Sequence, residues 1–177
     1  MTAAPNDNGA IALFDFTGAL PRAKLYSRWQ ISTNDTNTLQ TLASTNFDAW
    51  QTVLVSTPLP VPPAANATNE NPGTVEFKSY APKNINLDVK ANAPSVLLLN
   101  DKFDPNWRVF VDGKPAELLR CNFIMRGVYL MPGAHTVEFQ FGLPTGLLYV
   151  TLTAMGAGIL LCGLLFVSTR RNARPMA

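Results

Sequence analysis

Asn100, Asp101, Asp104 and Asp112 bring four oxygen-bearing side chains into a loop-rich stretch, a residue set that can ligate calcium. Their spacing matches no calcium loop, and Asp104-Pro105 is a turn initiator, so solvated turn residues are the expectation and no metal is assigned. His135, the single histidine, follows a Pro-Gly-Ala turn. General acid-base catalysis at His135 needs an orienting acid and a nucleophile, and no spacing marks either, so no catalytic residue is expected. Trp107, Phe103, Tyr129, Trp29 and Trp50 are numerous enough to form a sugar-stacking platform, although large aromatics more commonly fill a core or anchor at a membrane interface. Asn34-Asp35-Thr36 and Asn66-Ala67-Thr68 fit the glycosylation acceptor pattern, which Asn/Thr-rich chains match by chance. Cys121 in a strand-like stretch and Cys162 in an apolar run sit at different depths and are not expected to pair. No Gly-rich phosphate loop or metal-ligand cluster occurs, and no cofactor is implied.

The elements that carry these residues follow from periodicity. Ile11 to Phe16 reads as a short strand. Ala23 to Ile31 alternates apolar and polar side chains as a half-buried strand does, with Ser27 the one lapse. Thr33-Asn34-Asp35 caps a short helix through about Ala43, with Leu39 and Leu42 as its buried pair, and Asp48 to Val55 returns to a strand. Residues 57–73 hold five prolines with Asn, Ala and Gly and almost no large apolar side chain, so they read as an exposed linker or loop.

Beyond it the β pattern is clear. Val75 and Phe77 alternate with Glu76 and Lys78, and Ile85, Leu87 and Val89 alternate with polar neighbours. Ser95 to Leu99 has the uniform apolar character of a strand covered on both sides. Asp112-Gly113, between Trp107–Val111 and Lys114–Leu119, is the signal for a type I′ hairpin, since both turn positions need positive φ. Phe123 to Met131 and His135 to Phe141 complete a meander. Seven or so short antiparallel strands with frequent turns predict a mainly β ectodomain, a β-sandwich or jelly roll with a short helix.

From Gly142 to Ser168 no residue is charged, and Leu147 to Val167 is an apolar run that spans roughly 32 Å as a helix, close to the ~30 Å hydrocarbon core of a bilayer. One C-terminal transmembrane α-helix is predicted. Thr169-Arg170-Arg171-Asn172-Ala173-Arg174 follows it, which places the tail in the cytoplasm and the preceding residues outside. All 12 acidic and 11 of the 14 basic residues precede the helix, leaving that part at −1 and the tail at +3, so there is no nucleic-acid footprint. Within the helix, Gly146, Val150, Ala154, Gly158 and Cys162 recur at every fourth position as a ridge of mostly small side chains, the pattern expected where helices pack closely in lipid. The first residues lack the basic and apolar regions of a signal peptide. The expectation is therefore the C-terminal part of a larger membrane protein whose earlier helices supply export, with a tail-anchored protein as the rival.

Taken in order, Leu97-Leu98-Leu99-Asn100-Asp101-Lys102-Phe103-Asp104-Pro105-Asn106-Trp107, Val111-Asp112-Gly113-Lys114-Pro115, Arg120-Cys121-Asn122, Arg126-Gly127-Val128 and Pro132-Gly133-Ala134-His135-Thr136-Val137-Glu138-Phe139 resemble the C-terminal region of YfhO-type bacterial membrane proteins. Ala19-Leu20-Pro21-Arg22-Ala23 and Asn46-Phe47-Asp48 look like earlier landmarks of that region. Asp104-Pro105-Asn106-Trp107 departs from the family's Pro-Gly-Trp turn, and the proline-rich 57–73 insert is unusual. What the resemblance implies is a multi-spanning protein similar to lipid-linked-sugar glycosyltransferases. Their chemistry lies on loops of an N-terminal bundle absent from this chain, so no catalytic residue carries over.

The expected division is a strand/helix lobe at 1–56, the linker at 57–73, the main sandwich at 74–142, the membrane helix at 143–168 and a basic tail at 169–177. The expected role is a non-catalytic extracytoplasmic scaffold or glycan-contacting cap in the bacterial cell membrane. Its partners would be the lipid bilayer, the missing N-terminal bundle or other helices, and cell-envelope glycan. Trp107, Asp101, Asp112 and Arg120 would line a glycan contact if turn residues and strand ends converge at one edge of the hairpin. The alternative is a free-standing single-pass structural or assembly subunit that binds no sugar.

Overall fold

The computed structural model describes residues 2–5, 12–15, 18–62, 71–142 and 145–172. The chain forms two compact units, Met1–Gly142 and Leu143–Ala177. The first is mainly β. Strand β1 (Thr2–Pro5) pairs antiparallel with β2 (Ala12–Asp15) in a small sheet of its own. The strand expected over Ile11 to Phe16 is therefore present at its centre, while 11 and 16 lie outside the described residues.

Ala23 to Ile31 is two strands rather than one. β3 (Ala23–Tyr26) and β4 (Trp29–Ile31) are separated at Ser27-Arg28 and join opposite margins of the same sheet. Leu25 and Tyr26 are adjacent and both buried, on opposite faces, which a strand with one wet face does not do. Helix α1 (Asp35–Ala43) begins where its cap dictates: Asn34 Oδ1 accepts from the backbone N–H of Thr36 at 2.8 Å and of Asn37 at 3.2 Å. Its buried residue is Thr38, whose hydroxyl lies 2.7 Å from that of Ser32. Leu39 is 46 % exposed and Leu42 only half-buried, so the expected apolar pair does not anchor the helix; its first turn does. Strand β5 is confined to Val53–Val55, because an Asx turn at Asp48, whose carboxylate accepts Trp50 N–H, occupies the preceding residues. β4 and β5 pair in parallel, with α1 as the crossover such a pair requires.

The meander supplies the remaining strands: β6 (Gly73–Ala81), β7 (Asn84–Ala91), β8 (Ser95–Lys102), β9 (Trp107–Val111), β10 (Lys114–Ala116), β11 (Leu119–Cys121), β12 (Met125–Leu130) and β13 (Gly133–Phe141). They form a five-stranded sheet, β10-β9-β13-β7-β6, and, with the earlier strands, a six-stranded one, β3-β8-β12-β11-β5-β4. Segments 1–56 and 74–142 thus contribute strands to one sheet. The hairpin at Asp112-Gly113 has φ values of 53° and 74°, the left-handed pair a type I′ turn needs. Lys114 to Leu119 is not continuous: after β10 the chain passes from the five-stranded to the six-stranded sheet at Glu117-Leu118. The strand expected from Phe123 starts at Met125, since Asn122 and Phe123 take left-handed φ in a turn.

Between the sheets lies a core that includes Leu25, Ile85, Leu87, Leu97, Val137 and Phe139. Each such side chain contributes about 1.5–3 kcal/mol by leaving water. A second cluster, with Tyr26, Trp29, Val53, Val96, Leu98 and Cys121, covers the other face of the six-stranded sheet. That sheet is buried on both sides, as the apolar run from Ser95 to Leu99 predicts. In the five-stranded sheet, Asn86, Asp88, Glu138 and Gln140 form the wet face.

The second unit is helix α2 (Gly146–Asn172), of which Leu148–Thr169 has a mean hydropathy of 2.2. It is long and apolar enough to cross a membrane, and none of that span is buried by protein. Thr153 and Thr169 return their hydroxyls to carbonyls one turn earlier, so these polar groups are satisfied inside the helix.

Candidate functional site

Among the described residues, three polar constellations in the first unit include the sequence-expected contact residues. The most enclosed forms around Arg126, which shares its strand face with Val128 and Leu130 and points between the sheets. Only 3 % exposed, its guanidinium lies 3.9 Å over the Trp107 ring and 5.8 Å from Phe139. Nη1 donates to the Lys102 carbonyl and Nη2 to Asp101 Oδ2, each at 2.9 Å. The other Asp101 oxygen accepts from Arg22 Nη2 at 2.9 Å and Nε at 3.2 Å, and the Tyr80 hydroxyl donates to Oδ2 at 3.0 Å. Arg22 in turn stacks on Tyr80 at 4.0 Å and hydrogen-bonds its hydroxyl.

Desolvation pulls the Arg126 pKa down and Asp101 opposes it. The hydrogen bond to Asp101 pushes the Arg22 pKa up. The Tyr80 hydroxyl is raised, first by desolvation and then by its bond to Asp101. Arg126 Nε has no hydrogen-bond partner among the described residues, so the pair is enclosed but not fully satisfied. The arrangement fixes β12, β8 and β9 together.

The second constellation lies at the other end of β9. Asp112 Oδ1 accepts the Thr136 backbone N–H at 2.9 Å, and Oδ2 lies 2.7 Å from His135 Nδ1. His135 Nε2 lies 2.9 Å from the Met131 carbonyl. These bonds hold the Asp112 carboxyl below its usual range, the one from His135 most of all. Beside them an open hollow of about 390 Å³ is lined by Glu76, Lys78, Asp88, Lys90 and Thr136, with Lys78 and Asp88 paired at 2.7 Å.

The third joins α1 to the six-stranded sheet. Arg120 forks onto Asp35 at 2.9 and 3.2 Å, donates to the Phe123 carbonyl at 2.5 Å and sits 5.1 Å from the Phe123 ring.

Of the four residues expected to converge, Trp107 and Asp101 meet through Arg126, while Asp112 and Arg120 stand elsewhere. The separation is a consequence of two local features. Trp107 and Asp112 mark opposite ends of a five-residue strand, roughly 16 Å apart at about 3.3 Å per residue. The crossing at Glu117-Leu118 then carries Arg120 to the other sheet. Nor do the aromatics form one platform. Trp29 and Tyr129 make an edge-on pair at 6.1 Å in the outer cluster, Trp107 packs on Phe141 at 5.3 Å, and exposed Trp50 lies 4.7 Å from the Lys24 ammonium.

Arg126, Arg22 and Tyr80 were not singled out by residue pattern. Arg126 carried a signal, being a charge in phase with Val128 and Leu130, but the shared use of Asp101 is visible only once β3, β6 and β8 are placed. Asp104 is a turn residue as expected, its carboxylate accepting Asn106 N–H at 2.8 Å. Cys121 is buried and its thiol pushed up to about 12, while Cys162 belongs to the second unit. Gly146, Val150, Ala154, Gly158 and Cys162 all fall within α2, and a side chain at Gly146 or Gly158 would meet open space among the described residues. No protein-family model, curated protein or solved structure matches this chain.

Proposed function

We propose that the chain is a non-catalytic scaffold: an extracytoplasmic β-sandwich held at a bacterial membrane by its C-terminal helix, within a protein resembling the lipid-linked-sugar glycosyltransferases of the YfhO type. One observation carries the choice of scaffold over glycan-contacting cap. Asp101, Asp112 and Arg120 are each engaged by side chains of the same chain, and Trp107 lies beneath a buried guanidinium. A sugar would have to displace those partners. Arg170 and Arg171 in the last turn of α2, with Arg174 after it, support an inward tail and an outward sandwich. The ridge of small residues along α2 supports packing against other membrane helices.

Titrating the full chain in lipid nanodiscs with lipoteichoic or cell-wall glycans tests the scaffold reading. Unchanged tryptophan fluorescence is the expected result, and a saturable shift lost on Trp107→Leu would transfer the role to glycan contact. Protease added to intact cells should degrade the sandwich and spare an epitope on the tail; the reverse pattern refutes the orientation. The genomic sequence upstream of Met1 separates this reading from the free-standing subunit. An open frame running into several hydrophobic spans fits the former, and an isolated gene the latter.

A further inference from the structure

The position of His135 is stereochemically demanding. Nδ1 faces a carboxylate oxygen of Asp112 at 2.7 Å and Nε2 faces the Met131 backbone carbonyl at 2.9 Å. Both are acceptors: a carbonyl oxygen can only accept, and an ionised carboxylate likewise. A neutral imidazole donates through one nitrogen and presents a lone pair at the other, so one of the two contacts becomes repulsive whichever tautomer forms. The imidazolium donates at both.

The two acceptors belong to different connections. Asp112 heads the β9–β10 hairpin turn, and Met131 opens the connection from β12 to β13. These strands come from different sheets, β9 and β10 from the five-stranded and β12 from the six-stranded one. The ring therefore bridges the two layers at the end of β13 where that strand begins, the end opposite its exit toward α2. The side chain is 16 % exposed, within reach of solvent protons.

We propose that His135 is a proton-operated clasp, closed as an imidazolium bridging Asp112 and Met131 and opened by loss of one ring proton, which releases the Asp112-Gly113 turn from the β12–β13 connection. The charged groups around it define its setting. Asp112 faces it from the hairpin with Lys114 of β10 beyond; Asp88 and Lys90 of β7 and Glu76 and Lys78 of β6 line the adjoining hollow. The clasp has an acid limit as well. Because Asp112 has a depressed pKa in the folded chain, its contribution is present above its unfolded value and is lost as pH falls through the folded one. The closed state occupies the window between protonation of that carboxylate and deprotonation of the ring. Opening frees Asp112 Oδ2 at the rim of the hollow, while Oδ1 keeps the Thr136 backbone N–H.

The chain holds a single histidine, so ring ¹⁵N signals need no assignment. Long-range ¹H–¹⁵N correlation spectra of the full chain in nanodiscs would be recorded from about pH 5 to 8, the range over which histidine changes charge. The expected result is protonation at both ring nitrogens at the acid end. On raising the pH, one tautomer should form, with the backbone amides of Gly113 and Gly133 shifting in step. Asp112→Asn keeps a residue that favours the left-handed turn. In that variant Gly113 should no longer follow the ring while Gly133 still does. A ring that is a single neutral tautomer throughout the range would overturn the proposal. So would a ring that titrates while both glycine amides stay fixed in the unsubstituted chain.

Discussion

The two ends of strand β9 present the same arrangement, a nitrogen-bearing side chain held by an aspartate, in opposite surroundings. At the Trp107 end the Arg126 guanidinium is sealed between sheets and Asp101 is shared among three donors. At the Asp112 end the imidazole and carboxylate lie at the rim of an open hollow, the carboxylate 49 % exposed. Desolvation makes the first pair costly to break, because removing one partner strands the other charge away from water. Solvent and salt weaken the second. Placement, more than pairing, separates a fixed joint from an adjustable one.

Replacing Arg126 by Ala should give the largest effect. It leaves Asp101 without its buried partner and the Trp107 face uncovered, at about 3–5 kcal/mol. Urea unfolding followed by tryptophan fluorescence measures it, and a loss below about 1 kcal/mol would erase the contrast between the two ends. Arg126→Met refills the space over Trp107 but leaves Asp101 to Arg22 and Tyr80 alone, so it should recover only the packing part of the loss.

Gly73→Ala comes next, at about 2–4 kcal/mol by the same assay. Gly73 adopts φ 131°, and an added Cβ would lie 1.9 Å from the Lys90 carbonyl oxygen. That cost would show that backbone approach, and not charge, stiffens the end of the sandwich near the clasp. Asp112→Asn should cost no more than about 1 kcal/mol near neutral pH. Raising salt toward about 1 M should shrink that difference and leave the Arg126 difference in place. Smallest of all, Gly158→Leu in α2 should leave the unfolding midpoint of the sandwich within about 0.5 kcal/mol, because the substitution lies in a separate unit. Its readout is loss of association with other membrane helices in crosslinking; unchanged crosslinking would remove the ridge from consideration.

The residue pattern made the sandwich legible wherever one face is wet. Ile85, Leu87 and Val89 alternate with Asn86 and Asp88 and fold as that alternation requires. It failed where a strand is buried on both faces or changes partner. Leu25 beside Tyr26 carries no period, and the break after Ala116 has no breaker residue except Pro115 one position earlier. Turn signals were reliable at Asp112-Gly113 because the backbone there admits few residues. They were silent at Asn122-Phe123, where an aromatic takes a left-handed conformation. The candidate contact residues dispersed because their grouping assumed that strand ends near in sequence share an end of the sheet, whereas the traverse along β9 and the sheet change after β10 separate them.

The register of β3 also shapes how the chain is assembled. Ala23 lies opposite Leu99, and β8 has β12 as its other neighbour. A nascent chain thus holds Leu25 and Tyr26 unpaired through the synthesis of helix α1, the proline-rich stretch and the four strands β4 to β7 before their partner emerges. Long-range pairing of this kind slows folding and prolongs the exposure of sticky edges. Completion of the larger sheet is consequently a late event, and the earliest strands depend on the latest ones for their stability.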